Sequence, residues 1–195
     1  KQRNELLRLG RLETLDSWDE QLAASGAEIM HGRYQYLDQL GAAAAAMHRD
    51  IADAREALSI AYAPDVPDGD ILRALKSSRT LDVRRMTTTA GVHRDDVSLL
   101  VGGRELRAYG SQGQQRTAAL AIRLSELGVI RAETGEPPVL LLDDVMSELD
   151  PGRRRQLLSH LSGIQTIVTC TDISDLAGAD IGMACRVSLA ALTQL

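Results

Sequence analysis

Residues 139–150 run Val-Leu-Leu-Leu-Asp-Asp-Val-Met-Ser-Glu-Leu-Asp, an apolar stretch that ends in two adjacent carboxylates, Asp143 and Asp144. A run so short and so apolar predicts a buried parallel strand. Its carboxyl end delivers both acids to a sheet edge, the place where open α/β sheets bind ligands. One carboxylate there suits Mg²⁺, and its neighbour suits an attacking water, as in phosphoryl transfer. Asp150-Pro151 then predicts a helix with Asp150 as N-cap and Pro151 at its first position.

Working outward, Gln165–Cys170 reads as a strand, Ile173–Leu176 as a short helix and Met183–Leu189 as a final strand. Strands alternating with helices after residue 135 imply an α/β fold, a parallel sheet with flanking helices. Upstream, a helix is expected over Gln112–Glu133. Before it, Val97–Val101 and Arg104–Ala108 flank Gly102-Gly103 as a hairpin. Asp70 is placed to cap a helix through Arg85, after the turn-forming Pro64–Gly69. Ser17 and Glu20 have capping-box spacing, and helix is favoured from there to Leu58. If continuous, those residues would reach about 63 Å and form a protruding arm; two packed helices fit the same stretch. Gly26, Gly32 and Gly41 mark bends or close packing within it. The expected division is an all-helical arm over 1–86 and a head over 87–195.

Composition sets bounds on these readings. At 195 residues the chain can bury one core plus a helical appendage. With aromatics at 3% and no Phe, that core must rest on Leu, Ile, Val, Ala and Met. Charge is unevenly spread: residues 71–131 carry 11 basic and 5 acidic side chains, so a net +6 lies within an overall −5. That basic segment suits either phosphates or a solvated Arg face. Cys170 and Cys185 match no metal or redox spacing and read as buried free thiols. No run is long enough to span a bilayer, and no signal peptide is read, so no membrane partner and a cytoplasmic location are expected.

A second motif is Tyr109-Gly110-Ser111-Gln112-Gly113-Gln114-Gln115-Arg116. Glycines frame a hydroxyl at the start of a long helix, where backbone amides and the helix dipole favour phosphate. A plain N-cap explains Ser111 equally well in isolation. About 30 residues before an acidic strand end, the motif becomes more specific.

This pairing resembles the ABC-type ATPases, whose Leu-Ser-Gly-Gly-Gln signature precedes the acidic Walker B strand. The wording Gly-Ser-Gln-Gly-Gln-Gln-Arg-Thr with Leu-Leu-Leu-Asp-Asp-Val-Met-Ser-Glu-Leu-Asp is similar to the RecF branch. Lys1-Gln2-Arg3-Asn4, Trp18–Leu22 and His93-Arg94-Asp95-Asp96 support it. The Walker A loop, Gly-x-x-x-x-Gly-Lys-Ser/Thr, does not occur: the only lysines, Lys1 and Lys76, follow no glycine. The chain, which opens on Lys, therefore reads as part of an ATPase head, expected to be inactive alone.

The resemblance implies that Asp143 helps hold Mg²⁺ and that Asp144, where many relatives have Glu, positions the water. Ser111, Gln112, Gly113, Gln114 and Gln115 would meet the γ-phosphate of ATP held by the opposite subunit of a homodimer. Ser147, Glu148, Leu149 and Asp150 would form the D-loop across that interface, or simply a helix-entry turn. The usual switch His is missing; Thr171 or Asp172 stands nearby and would sense the γ-phosphate or cap a helix. Gly91-Val92-His93-Arg94 lacks the Pro usual before His-Arg, so His93 and Arg94 read as a satisfied structural pair. Two heads would close on duplex or gapped DNA and, with RecR, promote RecA loading in repair, with RecO in the same pathway. Arg73, Lys76, Arg79, Arg84 and Arg85 are the DNA-binding candidates, and no aromatic-rich surface for stacking single strands is apparent. Two other readings stay open: the head of a transporter or chromosome-organising ATPase, and a non-catalytic helical-arm interaction module.

Overall fold

A computed structural model describes residues 1–52 and 56–176, together with Cys185 and Val187. The expected strand at Met183–Leu189 otherwise lies outside the described residues. The chain forms two compact units, Lys1–Val129 and Ile130–Leu195.

In the first unit, α1 (Gln2–Leu9) stops at Gly10, whose left-handed φ of 66° lets its amide close the last turn. Helix α2 (Leu15–Ile51) is continuous over 37 residues, about 55 Å. It starts before Ser17, so the Ser17–Glu20 capping box does not form; Thr14 is the N-cap, without a side-chain bond. The earlier start submerges Leu15 completely. Nor does the helix protrude: Leu15, Gly26, Met30, Leu40, Ala44 and Ile51 are buried along its length, against β1 (Leu58–Ala63) and α3 (Ile71–Arg85). Gly26 is a packing position. A Cβ there would stand 2.6 Å from Ile71 Cδ1.

Two expectations fail at the end of α2. The helix stops at Ile51, and Leu58–Ala63 is a strand, so the N-terminal segment is not all helical. Leu58-Ser-Ile-Ala-Tyr-Ala has period two, with Leu58, Ile60 and Tyr62 the less exposed positions. Its antiparallel partner is β2 (Asp96–Val101), in a register from Leu58↔Val101 to Ala63↔Asp96. Residues on either side of position 86 thus share one sheet. Gly102 and Gly103, with φ of 57° and 75°, make the expected tight turn. The return strand β3 is only Arg104–Glu105, because Leu106 buries and starts the short helix α4 (Leu106–Tyr109). Asp70 caps α3 as predicted, accepting from the Arg73 amide at 3.0 Å. Met30, Ile71 and Leu75 form a core cluster, with Ala23, Tyr62 and Val92 packed on it.

A buried polar network joins α1, α2 and α3. Arg3, 2% exposed, donates to Asp19 at 2.6 Å and Asp82 at 2.8 Å, both fully buried. Asp82 Oδ1 also accepts from the Thr89 amide and hydroxyl, and Oδ2 accepts from Ser78. Arg79 donates to Asp19 at 2.5 Å and Asp16 at 2.6 Å. Asn4 fixes Thr88 by accepting from its amide and hydroxyl.

Helix α5 (Gln112–Thr134) runs into the second unit, where β4 (Leu140–Asp143) pairs in parallel with β5 (Thr166–Thr169). Between them lies α6 (Pro151–Ser159). Leu140 and Leu142 are buried, but Leu141 is 67% and Ile167 55% exposed, so the described residues cover one face of β4. Cys170 is half-buried and Cys185 exposed, both as free thiols rather than buried ones.

Candidate functional site

The carboxyl end of β4 carries the paired acids, and both are exposed. Asp143 lies opposite Thr169 in the β4–β5 register. The Thr169 hydroxyl donates to Asp143 Oδ1 at 2.5 Å and accepts from the Asp144 amide at 3.0 Å. One hydroxyl therefore holds the Asp143 carboxylate and the Asp144 backbone. Asp144 has left-handed backbone (φ 51°, ψ 20°), a conformation Asp tolerates better than most residues. That kink ends the strand and starts the single 3₁₀ turn Val145–Glu148, where Ser147 donates to the Asp144 carbonyl at 2.9 Å. Among the described residues no cluster of three ligating side chains could hold a metal. Mg²⁺ does not need one, since one or two carboxylates plus phosphates and water suffice. Asp143, held by one oxygen, fits that donor set.

The expected D-loop continues from there. The Glu148 side chain lies outside the described residues, and Leu149 is buried with its carbonyl accepting from Arg154 at 2.8 Å. Asp150 caps α6, accepting from the Gly152 and Arg153 amides at 3.0 and 3.1 Å. The Arg153 amide, then the Arg153 charge and the Gly152 amide, hold the Asp150 carboxyl below its usual range. A depressed folded value means the cap's contribution is present above the unfolded pKa, about 3.9, and is lost as pH falls below it. Asp150→Ala should cost about 1 kcal/mol and Asp150→Asn much less. Only the aspartate should lose that contribution on acidification; equal acid sensitivity in Asp150→Asn melts would refute this.

In the first unit, Ser111 and Gln114 form a reciprocal capping box at the start of α5. Ser111 Oγ accepts from the Gln114 amide at 3.2 Å, and Gln114 Oε1 accepts from the Ser111 amide at 2.7 Å. Gln114 also donates to Glu56, and Gln115 donates to the Gly110 carbonyl at 3.1 Å. Ser111, Gln112 and Gln115 are exposed, and Gly113 is half-buried. Gly110 leaves no room for a side chain, since a Cβ would stand 2.6 Å from the Leu106 carbonyl oxygen.

Other candidates divide. Arg79 is engaged by Asp16 and Asp19, and Arg73 pairs with Asp68. Lys76, Arg84 and Arg85 are exposed. Asp172 accepts from the Ser174 amide at 2.8 Å, which lowers its pKa, while Thr171 is exposed. His93 meets the Thr88 carbonyl and Arg94 meets Asp65. The residue that sequence reasoning overlooked is Thr169. Aligning the two short strands end to end would have set it beside Asp143.

No protein-family model matches the chain. It is 42% identical over 179 residues to the DNA replication and repair protein RecF of Lachnoclostridium phytofermentans, covering 89% of this chain and 50% of that protein. With RecF of Symbiobacterium thermophilum the identity is 43% over 189 residues, covering 90% and 50%. Over nearly all of its length the chain is RecF-like. Two solved structures of the recombination mediator protein RecF in the RecFOR pathway have the same fold. The one described with ATPrS has a TM-score of 0.77 at 41% identity, covering 91% of this chain and 51% of that one. The one described with ATP has a TM-score of 0.78 at 40% identity, covering 89% and 50%. The chain thus spans about half the length of the RecF proteins it matches. Among the described residues no helix is long and apolar enough to cross a membrane.

Proposed function

We propose that this chain is the signature-bearing part of a RecF-like, DNA-binding ATPase of recombinational repair, acting as an ATP-dependent homodimer. The observation that carries this reading is the β4 tip: two exposed acids at the carboxyl end of a parallel strand, with Thr169 bonded to the Asp143 carboxylate and the Asp144 backbone amide. Asp143 would hold Mg²⁺, which when bound supplies charge neutralisation at the phosphates. Asp144 would accept a hydrogen bond from the attacking water and orient it. Ser111 already accepts a backbone amide, so its own proton stays free to donate to a phosphate oxygen. With Gln112, Gly113, Gln114 and Gln115 it would meet the γ-phosphate bound by the other copy. Ser147, Glu148, Leu149 and Asp150 would line the same interface, and Thr171 and Asp172 would lie on its nucleotide side. DNA contact, through Lys76, Arg84 and Arg85 first, would be electrostatic and salt-dependent. Arg73 and Arg79 would have to leave carboxylate partners to join in. Duplex or gapped DNA, RecR, RecO and RecA are the partners this reading carries.

Ser111→Arg puts a long cation where the γ-phosphate of the other copy would sit. In a full-length protein carrying this segment, light scattering should show ATP-driven dimers that the variant loses while still binding nucleotide. Dimers that persist in Ser111→Arg would overturn the shared-pocket reading.

A further inference from the structure

Tyr109 is the most exposed aromatic residue of a chain that has few. Its ring is 67% exposed, two residues before Ser111. The Arg104 guanidinium carbon lies 5.3 Å from the ring centroid, a cation–π pair between two exposed residues. Arg107, from α4, is exposed as well. Among the described residues neither Arg104 nor Arg107 meets a carboxylate in an ion pair. Residues 104–116 carry Arg104, Arg107 and Arg116 against Glu105, and Glu56 meets the segment at Gln114. The backbone underneath is defined: Gly102-Gly103 turns the chain, Leu106 is buried beneath, and Gly110 is clamped against Leu106.

We infer that Tyr109 and Arg104 form a stacking site for one nucleobase and its attached phosphate. An aromatic ring backed by a guanidinium offers a π-surface that any base can use, and the same unpaired guanidinium supplies positive charge for the attached phosphate. The sequence suggested no stacking surface because it has no cluster of aromatics, but one ring is enough for one base. The ligand has two possible sources, a free nucleotide or a nucleic-acid strand, and both present the same base-plus-phosphate chemistry. The inference extends the nucleotide and DNA reading above, and its test uses no hydrolysis or dimerisation, so the two can fail separately.

The test compares ligands with and without the base. A labelled single-stranded oligothymidylate is set against an abasic strand of equal length, and AMP against ribose 5-phosphate, by anisotropy and by shifts of the Tyr109 ring resonances. The chain should prefer the base-bearing member of at least one pair, and which pair identifies the source. Tyr109→Ala should erase that preference, about tenfold for a stacked base, and leave the base-free ligand unchanged. Tyr109→Phe should restore it. Arg104→Ala should weaken both members of the pair and, for strands, reduce the salt dependence by about 0.7 in log–log slope per phosphate lost. The exposed ring supports no core, so loss of folding is not expected. Absence of any preference for the base, or a preference that survives Tyr109→Ala, would overturn the inference whatever the fate of the ATPase reading.

Discussion

Asp82→Ala is expected to lower the unfolding free energy by about 3–5 kcal/mol, the cost of breaking a buried ion pair from one side. The substitution strands Arg3, which is 2% exposed and keeps only Asp19 and Thr88 as partners. It also takes the acceptor from the Thr89 amide and hydroxyl, and from Ser78. Leaving these part-buried donors without an acceptor accounts for part of that loss. A matched control is Arg123→Ala, which removes an exposed i,i+3 pair with Glu126 and should change stability by less than about 0.5 kcal/mol. Urea unfolding of both variants checks the contrast. A loss below about 1 kcal/mol for Asp82→Ala would mean that the network is solvated rather than sealed. Because the network joins α1, α2 and α3, the variant should also loosen Thr87–Thr89, which amide exchange would report.

Much of the second unit was readable from local signals. Asp150-Pro151 has one common use at a helix start, and the apolar run before Asp143 has one common use in an α/β sheet. The hairpin turn at Gly102-Gly103 was equally plain, because only glycine takes two left-handed positions without strain. The errors came where a partner lies far away in sequence. Leu58–Ala63 contains good helix formers and becomes a strand because β2, from Asp96 onward, supplies its hydrogen bonds. Strand preference reflects such neighbours more than intrinsic propensity. Asp19 likewise binds Arg79 and Arg3 across 60 and 16 residues of chain, pairings that no local spacing announces. At the candidate site the acids were legible as a motif, but their fixation by Thr169 was not. A hydroxyl becomes informative only once strand register sets it opposite a carboxylate.

Asp144→Asn should reduce ATP hydrolysis by about 10²–10⁴-fold in a full-length protein carrying this segment, the usual range for loss of a positioned general base. The choice of Asn matters because Asp144 sits at φ 51°. Alanine there would add backbone strain of roughly 1–2 kcal/mol and confound charge with conformation. Asparagine keeps the left-handed turn, the amide bond to Thr169 and nearly the same volume, and removes only the basic oxygen. Nucleotide binding should therefore persist, and ATP-held dimers should live longer because they cannot discharge. Asp143→Asn should behave differently, weakening Mg²⁺-dependent nucleotide binding itself, since that carboxylate is assigned to the metal. The split between the two neighbours is the informative result: one variant binds and does not turn over, and the other binds poorly. If Asp144→Asn hydrolyses ATP at the parent rate, the acid after the strand is only a turn residue, and the water must be activated elsewhere.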